Sequence, residues 1–168
     1  MPNNSPKAVI LMGVAGSGKT VVGKGVAKRL NWLFLDADVF HPAANIEKMK
    51  QGIPLNDEDR TPWLRALRDE LKRLLAEGRS AILASSALKE SYRQLLSDDV
   101  SAMSFVFLDV DQETIRERLQ NRSAHFFPKE LMQSQFASLE KPKNAIVIDA
   151  RKTLDEVIDR VIKAILGS

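Results

Sequence analysis

The chain has 168 residues, of which 44% are hydrophobic and 28% are charged, and its formal net charge is +3. These proportions are typical of soluble globular proteins, so they exclude disordered, collagen-like and fibrous chains and predict one domain over residues 1–168. The excess of positive charge is too small to indicate a nucleic-acid partner. The sequence has no cysteine, which excludes disulfide frameworks, cysteine-rich zinc sites and thiol nucleophiles.

The N-terminal seven residues are polar, and the first apolar run, Ala8–Met12, is short. Such a run is shorter than the apolar region of a secretion signal or a membrane span. We therefore expect a cytoplasmic protein without a membrane partner.

Short apolar runs without polar alternation recur along the chain, at Ala8–Met12, Trp32–Leu35, Ala81–Ala84, Phe105–Leu108 and Ala145–Ile148. Continuous runs of this kind are typical of strands buried on both faces, and the stretches between them have helical periodicity. Strands that alternate with helices form parallel sheets through crossover connections. The sequence therefore predicts an α/β protein with a parallel sheet and helices on both of its faces.

Two helices have clear sequence signals. The first is predicted over Arg60–Ala76, with Thr61 as N-cap, Pro62 at the first helical position and leucines on one face. The second is predicted to follow Thr153, which forms a capping box with Glu156. Its buried stripe is predicted to comprise Leu154, Val157, Ile158, Val161, Ile162 and Ile165. Trp32, Trp63 and the methionines are predicted to be core residues.

Two stretches do not fit the alternation of strands and helices, about 39–62 after the second strand and about 116–142 after the fourth. Long insertions at one end of a sheet are often substrate covers or lids. We expect the first to bind a substrate and the second to form a helical lid.

A phosphate-binding loop is the strongest motif in the sequence. The residues fit G-x-x-x-x-G-K-[ST] and lie between an apolar run and a helical stretch, as such a loop requires. They are Gly13, Val14, Ala15, Gly16, Ser17, Gly18, Lys19 and Thr20. Lys19 is expected to bridge the β- and γ-phosphates of a nucleotide, and Thr20 to hold Mg²⁺.

Carboxylates near this loop indicate what the nucleotide is used for. The third strand ends at Ala84-Ser85-Ser86, without the acidic residue that switches and ATPases place there to hold Mg²⁺. Asp36 and Asp38 instead follow the second strand, where one carboxylate can take the proton of an acceptor hydroxyl or contribute to the metal site through a water. Asp36 can also be a simple turn or cap residue.

Further stretches, in this order and spacing, resemble the gluconate kinases, a family of P-loop small-molecule kinases. They are His41–Met49, Gly52–Trp63, Ser86–Lys89 with Tyr92-Arg93, Arg118, Arg122, His125–Phe127, Gln135-Phe136 and Leu139. The resemblance spans nearly the whole chain. It implies phosphorylation of D-gluconate on its 6-hydroxyl by ATP, Mg²⁺ dependence, a shikimate- and adenylate-kinase-like P-loop fold and a homodimer.

The resemblance also implies roles for individual residues. Asp38 would be the catalytic carboxylate beside the 6-hydroxyl. The residues that would surround gluconate are Asp38, His41, Arg60, Ser86, Lys89, Arg93, His125 and Gln135. A planar guanidinium suits the carboxylate of the substrate, and either Arg60 or Arg93 can supply it. Ser85 replaces a cysteine common in relatives, and Ala37 replaces a glycine, so Ala37 should have a negative φ. We expect both changes to alter packing more than chemistry.

The segment from Arg116 to Lys129 is rich in basic residues and is predicted to be a lid. Arg118 and Arg122 are four positions apart, so one helix face can present both to the phosphates, Arg118 as a nucleotide-binding residue and Arg122 as a catalytic one. A solvated helix face is the alternative for this segment, for Arg116 more than for Arg122. His125 can equally belong to a hydrophobic hinge.

Two rival functions are left open by the motifs. One is a kinase of the same fold that acts on shikimate or a nucleoside monophosphate, against which Asn56–Arg60 argues. The other is a nucleotide-sensing module without acceptor chemistry, which the missing acidic residue after the third strand disfavours.

Overall fold

The computed structural model describes residues 5–98, 100, 102–120 and 129–167. Five parallel strands form one sheet in the order β2-β3-β1-β4-β5. The strands are β1 (Ala8–Met12), β2 (Leu33–Asp36), β3 (Ala81–Ala84), β4 (Met103–Asp109) and β5 (Ile146–Asp149). The predicted parallel α/β sheet is confirmed, and each predicted strand lies within two residues of its observed bounds.

Helices connect the strands. They are α1 (Lys19–Leu30), α2 (Ala43–Lys50), α3 (Asp57–Ala76), α4 (Glu90–Ser97), α5 (Gln112–Gln120), α6 (Lys129–Ser138) and α7 (Leu154–Leu166). A short 3₁₀ helix, Ala37–Phe40, follows β2 directly. None of the helices in the described ranges is long and apolar enough to cross a membrane.

The sheet separates two apolar layers. Alternate residues of β1, such as Val9 and Leu11, pack with α1 and α7 on one face, whereas Ile10 and Met12 pack with α3 and α4 on the other. Every residue of β1 is buried. The continuous apolar runs in the sequence arise from this burial on both faces.

Strand register places the chemistry-bearing ends together. Ala84 at the end of β3 pairs with Leu11 of β1 on one side and with Asp36 of β2 on the other. The phosphate loop, the Asp36–Asp38 segment and Ser85-Ser86 therefore leave the sheet at one edge, which is where open α/β sheets bind ligands.

Helix α3 begins earlier than predicted. Its N-cap is Asn56, whose side chain accepts from the Asp59 amide while Asp59 accepts from the Asn56 amide. Three acidic residues in the first turn match the positive end of the helix dipole. Thr61 is not the cap, and Pro62 lies inside the helix because the stronger capping box is upstream.

Two predictions of burial are wrong. Leu154 is 48% exposed because it is the first residue of α7, whereas Val157, Ile158, Val161 and Ile165 are buried as predicted. Met49 is 45% exposed on α2 and does not belong to the core. Trp63 is buried, and Ala37 lies in the 3₁₀ helix rather than at a positive φ.

Candidate active site

The phosphate loop joins β1 to α1. Gly16 and Gly18 have φ values of +83° and +99°, which L side chains rarely adopt. A side chain at Gly13 would place its Cβ 2.7 Å from Ser17 Oγ. The α1 N-terminus has no side-chain cap. Its open amides and its dipole therefore make an anion site.

Lys19 is held by the loop that it terminates. Its Nζ donates to the carbonyl oxygens of Gly13 and Val14 at 2.9 and 3.0 Å. Burial lowers the pKa of Lys19 to about 8, although the charges of Asp38 and Asp36 oppose this shift. The ammonium group is therefore near two carboxylates in a poorly solvated position, where an anionic phosphate stabilises its charge.

The two aspartates after β2 have different geometry. Asp36 is the N-cap of the 3₁₀ helix, and its Oδ1 accepts from the Asp38 amide at 3.0 Å. The Asp38 side chain is exposed. The cap role suggested for Asp36 is thus present, and it fixes the backbone that carries Asp38 beside the loop.

One cavity of about 650 Å³ unites these elements. Its walls come from the phosphate loop with the start of α1, the carboxyl ends of β2 and β3, and α6. The lining residues are Ala15, Gly16, Gly18, Lys19, Thr20, Val21, Asp36, Asp38, Ala84, Ser85, Ser86 and Gln135. The cavity therefore contains both a phosphate-binding surface and a candidate general base.

His41 lies at the edge of this region in a fixed orientation. Its ring stacks on Trp63 with centroids 4.2 Å apart. The buried Asn45 donates to the Asp59 carbonyl oxygen at 2.8 Å and contacts His41 Nδ1 at 3.2 Å. Because an amide nitrogen only donates, the neutral ring carries its proton on Nε2. Burial lowers the pKa of His41, which favours this neutral form.

Arg60 and Lys89 form a second cationic group on α3 and before α4. Both cations lie over the Tyr92 ring, with Arg60 Cζ at 5.4 Å and Lys89 Nζ at 5.5 Å from its centroid. Tyr92 donates to Asp57 Oδ1 at 2.7 Å, and Lys89 reaches the same oxygen at 3.3 Å. The Tyr92 hydrogen bond, together with Lys89, lowers the pKa of Asp57.

Arg60 has hydrogen-bonding capacity to spare. Its Nε is buried and has no hydrogen-bond partner among the described residues, and its Nη2 makes only a 3.4 Å contact with the Leu55 carbonyl. The charges of Arg60 and Asp38 both act on His41. Arg60 and Asp38 therefore both lie near His41.

The guanidinium of Arg93, in contrast, is buried and makes several hydrogen bonds. It is 4% exposed, and its guanidinium binds the Glu90 carboxylate through both Nε and Nη2. Its remaining bonds go to the carbonyl oxygens of Ala87 and Glu140, at 2.7 and 2.8 Å. Ala87 has a φ of +43°. Arg93 thus joins a strained loop after β3 to the segment after α6.

Arg118 of α5 and Gln135 of α6 both contact the phosphate loop. Arg118 Nη1 approaches the carbonyl oxygens of Gly16 and Ser17 at 3.4 Å, and its Nη2 donates to the Ala150 carbonyl. Gln135 Oε1 accepts from the Ala15 amide at 2.6 Å. Both residues therefore border the anion site, Gln135 as part of the cavity wall.

Two residues singled out in the sequence, Arg122 and His125, lie outside the described residues. Sequence reasoning gave no role to Asn45 and Asp57, which orient His41 and Lys89. The four-residue spacing of His41 and Asn45 near a helix start was a usable signal for the first. Asp57 gave no local signal, because its partners are more than thirty positions away.

The residues of the cavity fit a magnesium nucleotide. Mg²⁺ prefers oxygen ligands, uses one or two protein groups and otherwise binds phosphates and waters. Thr20, Asp36 and Asp38 supply hydroxyl and carboxylate oxygens to one cavity. Within the part of the chain described, no cluster of three or more His, Cys, Asp or Glu forms a separate metal site.

A lysine of a phosphate loop and a carboxylate that share one cavity have the arrangement needed for phosphoryl transfer to a small acceptor, and they define a P-loop small-molecule kinase. A family model described as an AAA domain matches residues 9–142. The thermosensitive gluconokinase of Escherichia coli (strain K12) is 43% identical, with 96% of this chain and 88% of the relative covered. This chain belongs to the gluconokinase family.

Solved structures agree with this assignment. A gluconokinase from Sinorhizobium meliloti 1021 superposes with a TM-score of 0.85 at 36% identity, covering 97% of this chain and 93% of that one. The shikimate kinase from Bacteroides thetaiotaomicron has a TM-score of 0.65 at 20% identity, covering 96% and 99%. The second likeness is one of fold alone, and it confirms the predicted shikimate-kinase-like architecture.

Proposed function

We propose that the protein transfers the γ-phosphoryl group of ATP to the 6-hydroxyl group of D-gluconate and releases 6-phospho-D-gluconate and ADP. The observation that carries this proposal is the single cavity that contains Lys19, Thr20 and Asp38. Membership of the gluconokinase family supports gluconate as the acceptor.

The phosphate loop binds the nucleotide in this scheme. Amides of residues 13–20 surround the phosphates, and Lys19 exchanges its carbonyl partners for phosphate oxygens. Arg118 supports the loop and borders the nucleotide. Thr20 would hold Mg²⁺, with Asp36 or Asp38 acting through a water; the metal supplies neutralisation of charge on the phosphate oxygens.

Asp38 orients the acceptor and takes its proton. As the 6-oxygen forms a bond to the γ-phosphorus, the bond between that phosphorus and the β–γ bridging oxygen breaks, and ADP leaves with the electron pair. The hydroxyl proton passes to the Asp38 carboxylate and then to solvent. Lys19 stabilises the negative charge on the transferring group.

Arg60 binds the carboxylate of gluconate, because its buried Nε has no partner among residues that the structure describes. Its neighbours His41 and Lys89 suit a polyhydroxy chain. Ser86 and Gln135 line the cavity that contains Lys19 and Asp38, and Arg60, His41 and Lys89 lie outside its lining. The substrate role implied for Arg93 has less support, since four of its donor positions are already used. The roles of Arg122 and His125, the homodimer and the cytoplasmic location stay predictions.

The test is an assay of ADP release from MgATP with and without D-gluconate, beside other sugar acids and shikimate. Gluconate should stimulate release most strongly. Asp38→Asn should lower kcat by about two to four orders of magnitude while the folded state persists, since it removes general-base assistance.

Asp69→Asn is the matched control, because Asp69 is an exposed residue of α3 that does not line the cavity. Its kinetics should equal those of the wild type. Faster turnover with shikimate would refute gluconate as the acceptor, and full activity of Asp38→Asn would refute the role of that carboxylate.

A further inference from the structure

Ser85 lines the cavity, and its buried hydroxyl has no hydrogen-bond partner in the part of the chain that the structure describes. The residue is 3% exposed, and its Oγ has no partner among the described residues. Its backbone is well fixed, because the amide donates to the Leu11 carbonyl at 3.1 Å. The unpaired atom therefore belongs to a rigid position, immediately after β3.

The residues around Ser85 belong to the candidate active site. Ser85 lines the same cavity as Lys19, Asp36 and Asp38. Because β3 lies between β1 and β2 in the sheet, its end faces both the phosphate loop and the Asp36–Asp38 segment. Ser85 thus lies at the end of the sheet where the γ-phosphate and the acceptor meet in the proposed reaction.

A buried polar atom without a partner destabilises a protein, whereas an alanine at the same place would not. Packing alone therefore gives no reason for a hydroxyl here. A serine hydroxyl both donates and accepts, and it adds no charge to a cavity that already holds two carboxylates. These properties suit binding of a neutral O–H group.

We propose that Ser85 Oγ hydrogen-bonds an O–H group of the bound reactants, either a water of the magnesium nucleotide or a hydroxyl of the acceptor. The proposal rests on the proposed function and adds a binding residue to it. It also revises the expectation that serine at this position changes packing more than chemistry.

The test combines Ser85→Ala and Ser85→Cys with three measurements: the melting temperature of the ligand-free protein, the KM values for gluconate and free Mg²⁺, and the affinities for MgADP and gluconate by calorimetry. Ser85→Ala should melt no lower than the wild type, because it removes an unpaired buried hydroxyl. It should nevertheless bind one reactant about three- to tenfold more weakly. The affinity of Ser85→Cys for that reactant should lie between those of the wild type and Ser85→Ala, since a thiol is a weak donor.

The pattern of weakening identifies the partner. A rise in the Mg²⁺ requirement with weaker MgADP binding assigns the hydroxyl to the metal's water, whereas weaker gluconate binding alone assigns it to the acceptor. Unchanged affinities and KM values in Ser85→Ala would overturn the proposal, as would a lower melting temperature with unchanged binding.

A matched control is Ser80→Ala, at the opposite end of β3. Ser80 Oγ accepts from the Lys7 amide at 2.9 Å, so its loss should lower the melting temperature and leave all affinities unchanged. Failure of the proposed function is a different result, in which the wild type does not phosphorylate gluconate. In that case the MgADP affinity of the Ser85 variants still decides whether the hydroxyl binds at the nucleotide.

Discussion

Arg60 and Arg93 carry the same guanidinium group in contrasting surroundings. Arg60 has a buried Nε without a partner among the described residues, whereas Arg93 uses four of its five donor positions on Glu90, Ala87 and Glu140. We predict that Arg60→Lys raises the KM for gluconate by about tenfold or more, because a point charge replaces a planar fork. The same variant should change the free energy of unfolding by less than about 1 kcal/mol.

Arg93→Lys should give the reverse pattern. It breaks buried hydrogen bonds that tie two loops together, so the free energy of unfolding should fall by about 2 kcal/mol. Its KM for gluconate should rise less than that of Arg60→Lys. Steady-state kinetics and urea denaturation of the two variants measure both quantities, and a larger KM effect at Arg93 would assign the carboxylate site to that residue instead.

The start of α3 offers a test at the scale of a single element. Asn56 and Asp59 form a reciprocal capping box. Asn56→Ala should lower the free energy of unfolding by about 1 kcal/mol, because it leaves first-turn amides without a partner. Urea denaturation with an unchanged m-value measures this loss.

Thr61→Ala is the control for that helix start, since a cap at Thr61 would show the larger loss. In the structure the Thr61 hydroxyl donates to the Asp57 carbonyl within the helix. Its removal should cost a few tenths of a kcal/mol. Equal or reversed losses in the two variants would mean that the helix begins where the Thr61-Pro62 pattern predicts.

The strands that are buried on both faces of the sheet could be predicted from the sequence. Ala8–Met12 and Ala81–Ala84 are buried on both faces, so their apolar runs mark the strands without ambiguity. The start of α3 could not be predicted in this way, because two candidate N-caps, Asn56 and Thr61, lie within six residues of each other. Leu154 continues the periodic stripe of α7, but it is the first residue of that helix and is exposed.

The candidate site also has a part that the sequence predicts and a part that it does not. The phosphate loop and Asp38 are local in sequence, and their place at the carboxyl ends of strands follows from the fold. Two features depend on contacts between segments far apart in the chain: the pairing of Lys89 and Tyr92 with Asp57, and the hydrogen bond from Arg93 to the Glu140 carbonyl. No single-sequence pattern encodes those contacts, so the choice between Arg60 and Arg93 stayed open.

For the whole molecule, burial of Lys19 makes stability depend on pH. Its pKa is about 8 in the folded protein, against 10.5 as the ordinary value. Below pH 8 both folded and unfolded chains carry the proton, so the cost of burying the charge is fully present. Between pH 8 and 10.5 the unfolded chain binds more protons, and the stability contributed at Lys19 therefore rises with pH.

We predict that Lys19→Met removes this dependence. The difference in unfolding free energy between Lys19→Met and wild type should favour the variant most at or below pH 8. It should shrink toward pH 10.5 with a slope of at most about 1.4 kcal/mol per pH unit. Urea denaturation of the ligand-free proteins at several pH values between 7 and 10 measures it. Lys28→Met, on the exposed face of the same helix, should show no such convergence. A constant difference between Lys19→Met and wild type across this range would show that the ammonium group is not held at a depressed pKa.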